Sequence, residues 1–185
     1  MTATVAVLVG SLRKASLNRK FAHALERIAG ERMKFDYVDL ADLPHYDDDL
    51  WADTPAAVSA LKQKIDACDG VLIVTPEYNR FFPGIIKDAL DWGSKPKGQN
   101  NWSGKPCAVT GVTPGSTGTA VAQSHTRLAA LSVNMIVQHF PELYVQWKDD
   151  RFAEDGTIKD DDTRALLEEF VSAFTQWIER HGEKN

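Results

Sequence analysis

Near its start the chain reads Val5-Ala6-Val7-Leu8-Val9-Gly10-Ser11-Leu12-Arg13, an apolar run that ends at a glycine and continues into a polar loop. A continuous apolar run of this length is typical of a strand that is buried on both faces, as in a parallel sheet. Apolar residues at helical spacing follow and predict a helix with Ser16 as its cap (Leu17, Phe21, Leu25, Ile28). The stretch therefore predicts the first strand–loop–helix unit of an α/β fold.

The same alternation of strands and helices continues along the chain. Further apolar runs predict strands at 35–38, 70–74 and 107–112, and a fifth strand that is interrupted around Pro141. Helices are predicted between them, one of which starts at Thr54-Pro55 with Thr54 as its cap. The acidic stretch 149–162 is expected to be a surface excursion. This alternation predicts a doubly wound parallel sheet, with residues 1–185 forming a single domain.

Composition narrows the possible functions. The 185 residues include 21 Lys and Arg and 26 Asp and Glu, a net charge of −5 at pH 7. This mildly acidic balance argues against bulk binding of nucleic acid and against a polybasic membrane anchor. The apolar run 5–9 is much shorter than the ~20 residues of a membrane span. Cys68 and Cys107 lie in no metal-binding or disulfide pattern, so we expect a cytoplasmic protein without a metal site.

In a doubly wound sheet, ligands bind outside the carboxyl ends of the strands. Three loops are expected there: 10–18 (loop 1), 75–84 (loop 3) and 113–118 (loop 4). Loop 1 joins a buried strand to a helix N-terminus, where free backbone N–H groups and the helix dipole favour an anion. Arg13 adds a fixed cation suited to phosphate, and Ser11, Ser16 and Asn18 add neutral donors. We interpret loop 1 as a phosphate site, the alternative being an ordinary serine-rich helix cap.

Loops 3 and 4 could hold the flat part of a ligand. Tyr78 can pack on a planar ring, and Asn79 with its backbone can meet a heteroaromatic edge. Glu77 could orient the loop or contact the ligand, although by themselves the aromatic residues of loop 3 could equally cover the core. The glycines of loop 4 allow a close backbone approach, or belong to a simple strand-to-helix turn. Two other candidates are weaker: Asp47-Asp48-Asp49 fits a solvated loop better than a cation site, and His125 fits a surface or interface position.

Taken together, the loops resemble the NADPH-dependent FMN reductase family of flavodoxin-like proteins, and more narrowly its chromate, quinone and azo reductases. The resemblance covers nearly the whole chain in the family's order. It is carried by Gly10-Ser11-Leu12-Arg13 with Ser16 and Asn18, Thr75-Pro76-Glu77-Tyr78-Asn79, Pro83-Gly84, Lys87-Asp88-Ala89-Leu90-Asp91-Trp92, Gly104-Lys105-Pro106, Gly115, Gly118 and Ala122-Gln123. The chain departs from some members at Thr119, where they have a glycine, and at Val121, where they have an arginine.

The resemblance implies a flavodoxin-like three-layer α/β/α sandwich with a five-stranded parallel sheet of order 2-1-3-4-5. It also implies non-covalent FMN, NAD(P)H as co-substrate, a small-molecule electron acceptor, and a homodimer or homotetramer. By the family's pattern, FMN would be bound by three groups of residues: Ser11, Arg13, Ser16, Leu17 and Asn18; Pro76, Glu77, Tyr78 and Asn79; and Thr113, Pro114, Gly115 and Gly118. Arg80 is a further candidate, for the phosphates of NAD(P)H.

The activity so implied is a ping-pong transfer of a hydride from NAD(P)H through FMN to a quinone, azo compound, chromate or free flavin. The chemistry would take place at N5 of FMN, without a catalytic side chain. The main alternative is a flavodoxin-type electron carrier reduced by a separate enzyme, which Arg13 and the modest net charge disfavour. A flavin-free protein of the same fold is a weaker alternative. A response-regulator receiver domain is rejected, because residues 10–13 and 75–77 lack its acidic pair and its aspartate.

Overall fold

A parallel sheet between two layers of helices forms the centre of the computed structural model, which describes residues 2–182. The strands are β1 (Ala3–Val9), β2 (Met33–Tyr37), β3 (Gly70–Val74), β4 (Pro106–Thr113), β5 (Ile136–Val137) and β6 (Tyr144–Gln146). The helices are α1 (Leu17–Ala29), α2 (Ala56–Asp66), α3 (Gly84–Ser94), α4 (Ala120–Ser132) and α5 (Asp161–His181). The sheet order is β2-β1-β3-β4-β5 and every strand pair is parallel, so the predicted flavodoxin-like fold is confirmed.

The two faces of the sheet bury separate cores, as the apolar run at the start of the chain requires. Val5, Val7 and Val9 join the core beneath α1 and α5, whereas Ala6 and Leu8 join the core beneath α2, α3 and α4. Successive side chains of a strand point to opposite faces, so a strand between two helical layers needs an apolar residue at every position.

The fifth position of the sheet is shared by two short strands. β5 pairs with the first part of β4 and β6 with its last part, and the chain between them carries Pro141. The sequence predicted this interruption. In the gap between β5 and β6, the outer side of β4 at Val109 has no strand partner within the described residues. The guanidinium of Arg127 donates to the carbonyl of Val109 instead, at 3.2 Å. The backbone N–H of Gln138 donates to the carbonyl of Cys107 at 2.7 Å.

Two details differ from expectation. Thr54 does not cap α2: Pro55 occupies the N-cap position, and the Thr54 hydroxyl donates to the carbonyl of Trp51 at 3.4 Å. The acidic stretch 149–162 is not wholly a surface excursion, because Phe152 and Ile158 are buried in the core beneath α1 and α5. Within residues 2–182, no helix combines the length and apolar character needed to cross a membrane. The same residues include no group of three or more His, Cys, Asp or Glu suited to a metal.

Candidate functional site

A cleft opens at the carboxyl ends of β1, β3 and β4, where loops 1, 3 and 4 meet. This is the switch point of a doubly wound sheet, because the chain leaves β1 toward β2 on one side and β3 continues toward β4 on the other. Residues from all three loops line the cleft: Ser11, Arg13, Leu17, Asn18, Pro76, Glu77, Tyr78, Val112, Thr113 and Pro114.

The N-terminus of α1 provides the polar end of the cleft. Ser16 caps the helix as predicted, its hydroxyl accepting from the N–H of Arg19 at 3.2 Å. The N–H groups of Leu17 and Asn18 have no partner among residues 2–182, and the first turn contains no acidic side chain. Arg13 is exposed and, within the described residues, forms no ion pair. Free donors, the helix dipole and an unpaired guanidinium together favour an anion.

Asn18 joins α1 to the end of β4. Its side-chain amide donates to the carbonyl of Val112 and accepts from the N–H of Val112, both at 3.0 Å, and the residue is buried. One amide hydrogen of Asn18 remains after this exchange. The paired bonds fix the distance between loop 1 and loop 4 and so set the width of the cleft.

Loop 3 is built on a tight hairpin. The backbones of Tyr78 and Phe81 exchange hydrogen bonds of 2.9 and 3.0 Å around Asn79 and Arg80. Both central residues have positive φ, 51° and 66°, the geometry of a type I′ turn, which suits asparagine but strains arginine. The turn leaves 51% of Tyr78 exposed, which presents its ring to the cleft.

Glu77 anchors loop 3 to α4. One carboxylate oxygen accepts from the N–H groups of Val121 and Ala122 at 3.1 and 3.2 Å, and the other accepts from the Arg80 guanidinium at 3.3 Å. The residue at the N-cap of α4, Thr119, has φ 62° and makes no side-chain cap bond. Glu77 therefore supplies the cap that α4 lacks, and its negative charge lies at the positive end of the helix dipole.

Replacement of this carboxylate is expected to destabilise the protein. Glu77→Ala leaves two N–H groups of α4 without an acceptor, and we expect the free energy of unfolding to fall by about 1–3 kcal/mol in denaturant titrations. Arg80→Ala is the matched control, since it removes only an exposed ion pair worth ~0–1 kcal/mol. Equal effects of the two substitutions would contradict the capping role of Glu77.

Loop 4 closes the other side of the cleft. The side-chain amide of Gln146 donates to the carbonyl of Pro114 at 2.7 Å and so holds the loop against β6. A Cβ at Gly115 would make only an ordinary contact, 3.7 Å from the hydroxyl oxygen of Thr113. Gly118 instead packs on β6, and a Cβ there would lie 2.7 Å from the carbonyl carbon of Tyr144. Gly118 also has φ 55°. A glycine at position 118 therefore lets loop 4 pack closely against β6.

The structure brings most of the predicted residues together. Of the predicted set, five do not line the cleft: Ser16 lies beneath it as the cap of α1, while Asn79, Arg80, Gly115 and Gly118 shape the flanking loops. Val112 lines it and was not predicted, although its place directly before Thr113 at the end of β4 could have indicated it. The cleft combines free N–H donors at α1 with the flat side chains of Tyr78 and Pro114, and these groups suit the phosphate and the ring system of FMN.

The two thiols have no part in this site. Both cysteines are buried, and burial raises the pKa of Cys107 to about 12 and raises that of Cys68 as well. Both therefore stay protonated near neutral pH, and a protonated thiol is a poor nucleophile.

Comparisons with known proteins identify the family of the chain. Residues 3–148 match the family model of the NADPH-dependent FMN reductases. A 2-hydroxy-1,4-benzoquinone reductase of a Burkholderia species is 44% identical over 178 residues, which are 96% of this chain and 97% of that protein. A quinone reductase of Pseudomonas putida is 42% identical over 176 residues, 95% of this chain and 94% of the relative.

Among solved structures, the flavoenzyme FerB, an NAD(P)H:(acceptor) oxidoreductase of Paracoccus denitrificans, superimposes with a TM-score of 0.96 at 49% identity. The match covers 98% of this chain and 100% of FerB. Identity of this extent over full-length relatives leaves no other family to consider, and the chain belongs to the NADPH-dependent FMN reductase family.

Proposed function

We propose that FMN lies in the cleft with its phosphate at loop 1 and its ring system between loops 3 and 4. The observation that carries this proposal is the N-terminus of α1. Its free N–H groups and Arg13, which forms no ion pair within residues 2–182, lie at a cleft that Tyr78 and Pro114 also line. The residues proposed to bind the cofactor are Ser11, Arg13, Ser16, Leu17, Asn18, Pro76, Glu77, Tyr78, Asn79, Thr113, Pro114, Gly115 and Gly118.

The protein is an FMN-dependent NAD(P)H oxidoreductase that acts on a small-molecule electron acceptor. When bound, FMN would supply the redox chemistry that carries electrons from NAD(P)H to the acceptor. The residues of the chain bind and orient. Arg13 neutralises phosphate charge, Asn18 fixes the cleft width, and Glu77 holds loop 3 in place. We propose that Arg80 faces the phosphates of NAD(P)H after its bond to Glu77 opens.

An anaerobic titration with NADPH tests this function. The purified protein is reconstituted with FMN, and its visible flavin absorbance is followed as NADPH is added. We expect rapid bleaching to the two-electron reduced form. A flavin band that forms but does not respond to NADPH would instead indicate an electron carrier that needs a separate reductase. A protein that takes up no FMN would contradict the cleft assignment itself.

We further propose that the acceptor is a quinone. Relatives named quinone reductases support this choice, and Tyr78 and Pro114 offer flat apolar surface to an aromatic acceptor. Steady-state rates with a benzoquinone, an azo dye, chromate and free FMN should rank the benzoquinone highest by kcat/KM. If the azo dye, chromate or free FMN gave a higher kcat/KM, that compound would take the place of the quinone as the proposed acceptor.

We propose that the chain forms a homodimer or homotetramer through the outer face of α4. Leu128 and Leu131 are 67% and 56% exposed there, and Phe81 of the loop 3 hairpin packs against His125 beside them, with 4.6 Å between ring centroids and 34° between planes. Apolar patches of this kind on a soluble fold mark association sites.

We also propose that residues 1–185 form a single functional domain. The proposed location of the protein is the cytoplasm, where NAD(P)H is available and both thiols stay reduced.

A charge placed on this face is expected to separate the subunits. Leu128→Asp should lower the mass measured by light scattering after size exclusion. The interface would have to bury an unpaired carboxylate, and the cost of removing that charge from water favours separate subunits. Leu166→Asp on α5, where the leucine is 51% exposed, is the control and should leave the mass unchanged. An unchanged mass for Leu128→Asp would place the interface elsewhere.

A further inference from the structure

The start of α1 carries more positive charge than one phosphate group needs. Arg13, Lys14, Arg19 and Lys20 lie within eight positions, and no Asp or Glu precedes Glu26. None of these four cations forms an ion pair within residues 2–182. The chain as a whole has a net charge of −5, so this stretch is a local excess of positive charge. Arg13 and the helix N-terminus suffice for the phosphate of FMN, so the surplus indicates a second anion nearby.

A second groove adjoins the proposed FMN cleft, and Lys20 is the one of these four cations that lines it. Its volume is about 400 Å³, and it lies between the first turns of α1 and the segment 147–159. Leu17 lines both the groove and the cleft. The backbone N–H of Trp147 donates to the carbonyl of Thr113 in loop 4 at 2.8 Å, so the groove and the cleft share a wall. A single extended ligand could span both.

The groove is built around a rigid aromatic surface. The ring of Trp147 stacks on Phe152, with 4.6 Å between centroids and 13° between planes. Phe152 is buried and packs edge-on against Phe21 of α1 at 6.2 Å, which holds the stack in place. Trp147 is partly buried and lines the groove, and a tryptophan held by these contacts is a suitable platform for a planar base.

The remaining walls of the groove carry both signs of charge. Lys20 lies on the side of α1, and Lys159 on the opposite side donates to the carbonyl of Asp149 at 2.7 Å. The carboxylates of Asp149 and Glu154 also line the groove. A flat aromatic platform, cations for phosphates and carboxylates for hydroxyl groups are together the complement of a nucleoside phosphate.

We propose that this groove binds the adenosine phosphate half of NAD(P)H. Trp147 stacks on the adenine, and Asp149 or Glu154 accepts from a free hydroxyl group of its ribose. Lys20 neutralises the phosphate charge on the adenosine side, whereas Arg80 meets the phosphate on the nicotinamide side. The proposal rests on the proposed function, because the nicotinamide end of the same molecule must reach the flavin cleft. It gives the chain's own residues a part in selecting the reductant, separate from FMN binding.

Steady-state kinetics of the FMN-loaded enzyme with two reductants test this assignment. NADPH carries the adenosine phosphate, whereas N-benzyl-1,4-dihydronicotinamide has only the reacting ring. Lys20→Ala and Trp147→Ala should each raise KM for NADPH about tenfold, the effect of one lost contact of ~1.4 kcal/mol. The KM for the benzyl compound and kcat with it should not change. Lys34→Ala, an exposed lysine near the amino end of β2, is the control and should leave both reductants unaffected.

ADP provides a second measurement that needs no substitution. It should inhibit the wild-type enzyme competitively against NADPH and leave turnover with the benzyl compound intact. Unchanged KM for NADPH in Lys20→Ala together with no inhibition by ADP would overturn the groove assignment. Equal losses of kcat/KM with both reductants would also overturn it, since they would indicate damage to the flavin site. If wild-type holoenzyme is reduced by the benzyl compound but not by NADPH, the proposed function fails instead.

Discussion

Arg13→Ala is expected to raise the dissociation constant for FMN about ten- to hundredfold. The reason is the loss of one charge-assisted contact to the cofactor phosphate, worth about 1.5–3 kcal/mol. No ion pair within the described residues holds Arg13, so its removal breaks no contact of the fold and the loss should appear in binding alone. Titration of the apoprotein with FMN, followed by quenching of flavin fluorescence, measures the constant.

Two companion variants make this result specific. Arg13→Lys keeps the charge but loses the planar fork of the guanidinium, so its affinity should fall between those of the wild type and Arg13→Ala. Lys34→Ala removes a cation far from the cleft and should bind FMN as the wild type does. If Arg13→Ala binds FMN with unchanged affinity, the phosphate does not lie at loop 1.

Asn18→Ala is expected to lower the free energy of unfolding of the apoprotein by about 2–4 kcal/mol. The substitution leaves both the N–H and the carbonyl of Val112 buried without a partner, and each such group costs about 1–3 kcal/mol. Chemical denaturation of the protein without FMN measures the change. The lost hydrogen bonds to Val112 are part of the folded protein itself, so the destabilisation should be measurable before any ligand is added.

Ser11→Ala is the matched comparison for Asn18→Ala. Ser11 lines the same cleft and is also buried, but its hydroxyl has no hydrogen-bond partner within residues 2–182. Its loss should weaken FMN binding while leaving the apoprotein within about 0.5 kcal/mol of the wild type. Similar stability of both variants would show that the bonds between Asn18 and Val112 contribute little.

The fold and the location of the site could be predicted because they follow from local patterns. The doubly buried strand 5–9 requires helices on both faces of the sheet. The helix capped by Ser16, which follows the strand after a short loop, places an anion site at the strand end. Pro141 likewise predicted the break in the fifth strand, because proline lacks the N–H that a sheet ladder needs.

The contacts that hold the site together could not be predicted, because they join residues far apart in sequence. Asn18 and Val112 are separated by 94 positions, and the carboxylate of Glu77 caps a helix more than 40 positions later. The capping role also depends on the left-handed backbone of Thr119, which a threonine rarely adopts. The burial of Phe152 was hidden by the charged residues around it in the sequence.

The divided edge of the sheet bears on how the protein behaves at high concentration. An outer strand with a long row of unpaired backbone groups can recruit a strand from another molecule and begin aggregation. At this edge the outer strands are short, with two residues in β5 and three in β6. Between them, the side chain of Arg127 donates a hydrogen bond to the carbonyl of Val109 in β4. An intruding strand would have to displace a charged group to extend its pairing. The interruption thus protects this edge of the sheet against fibril-like pairing.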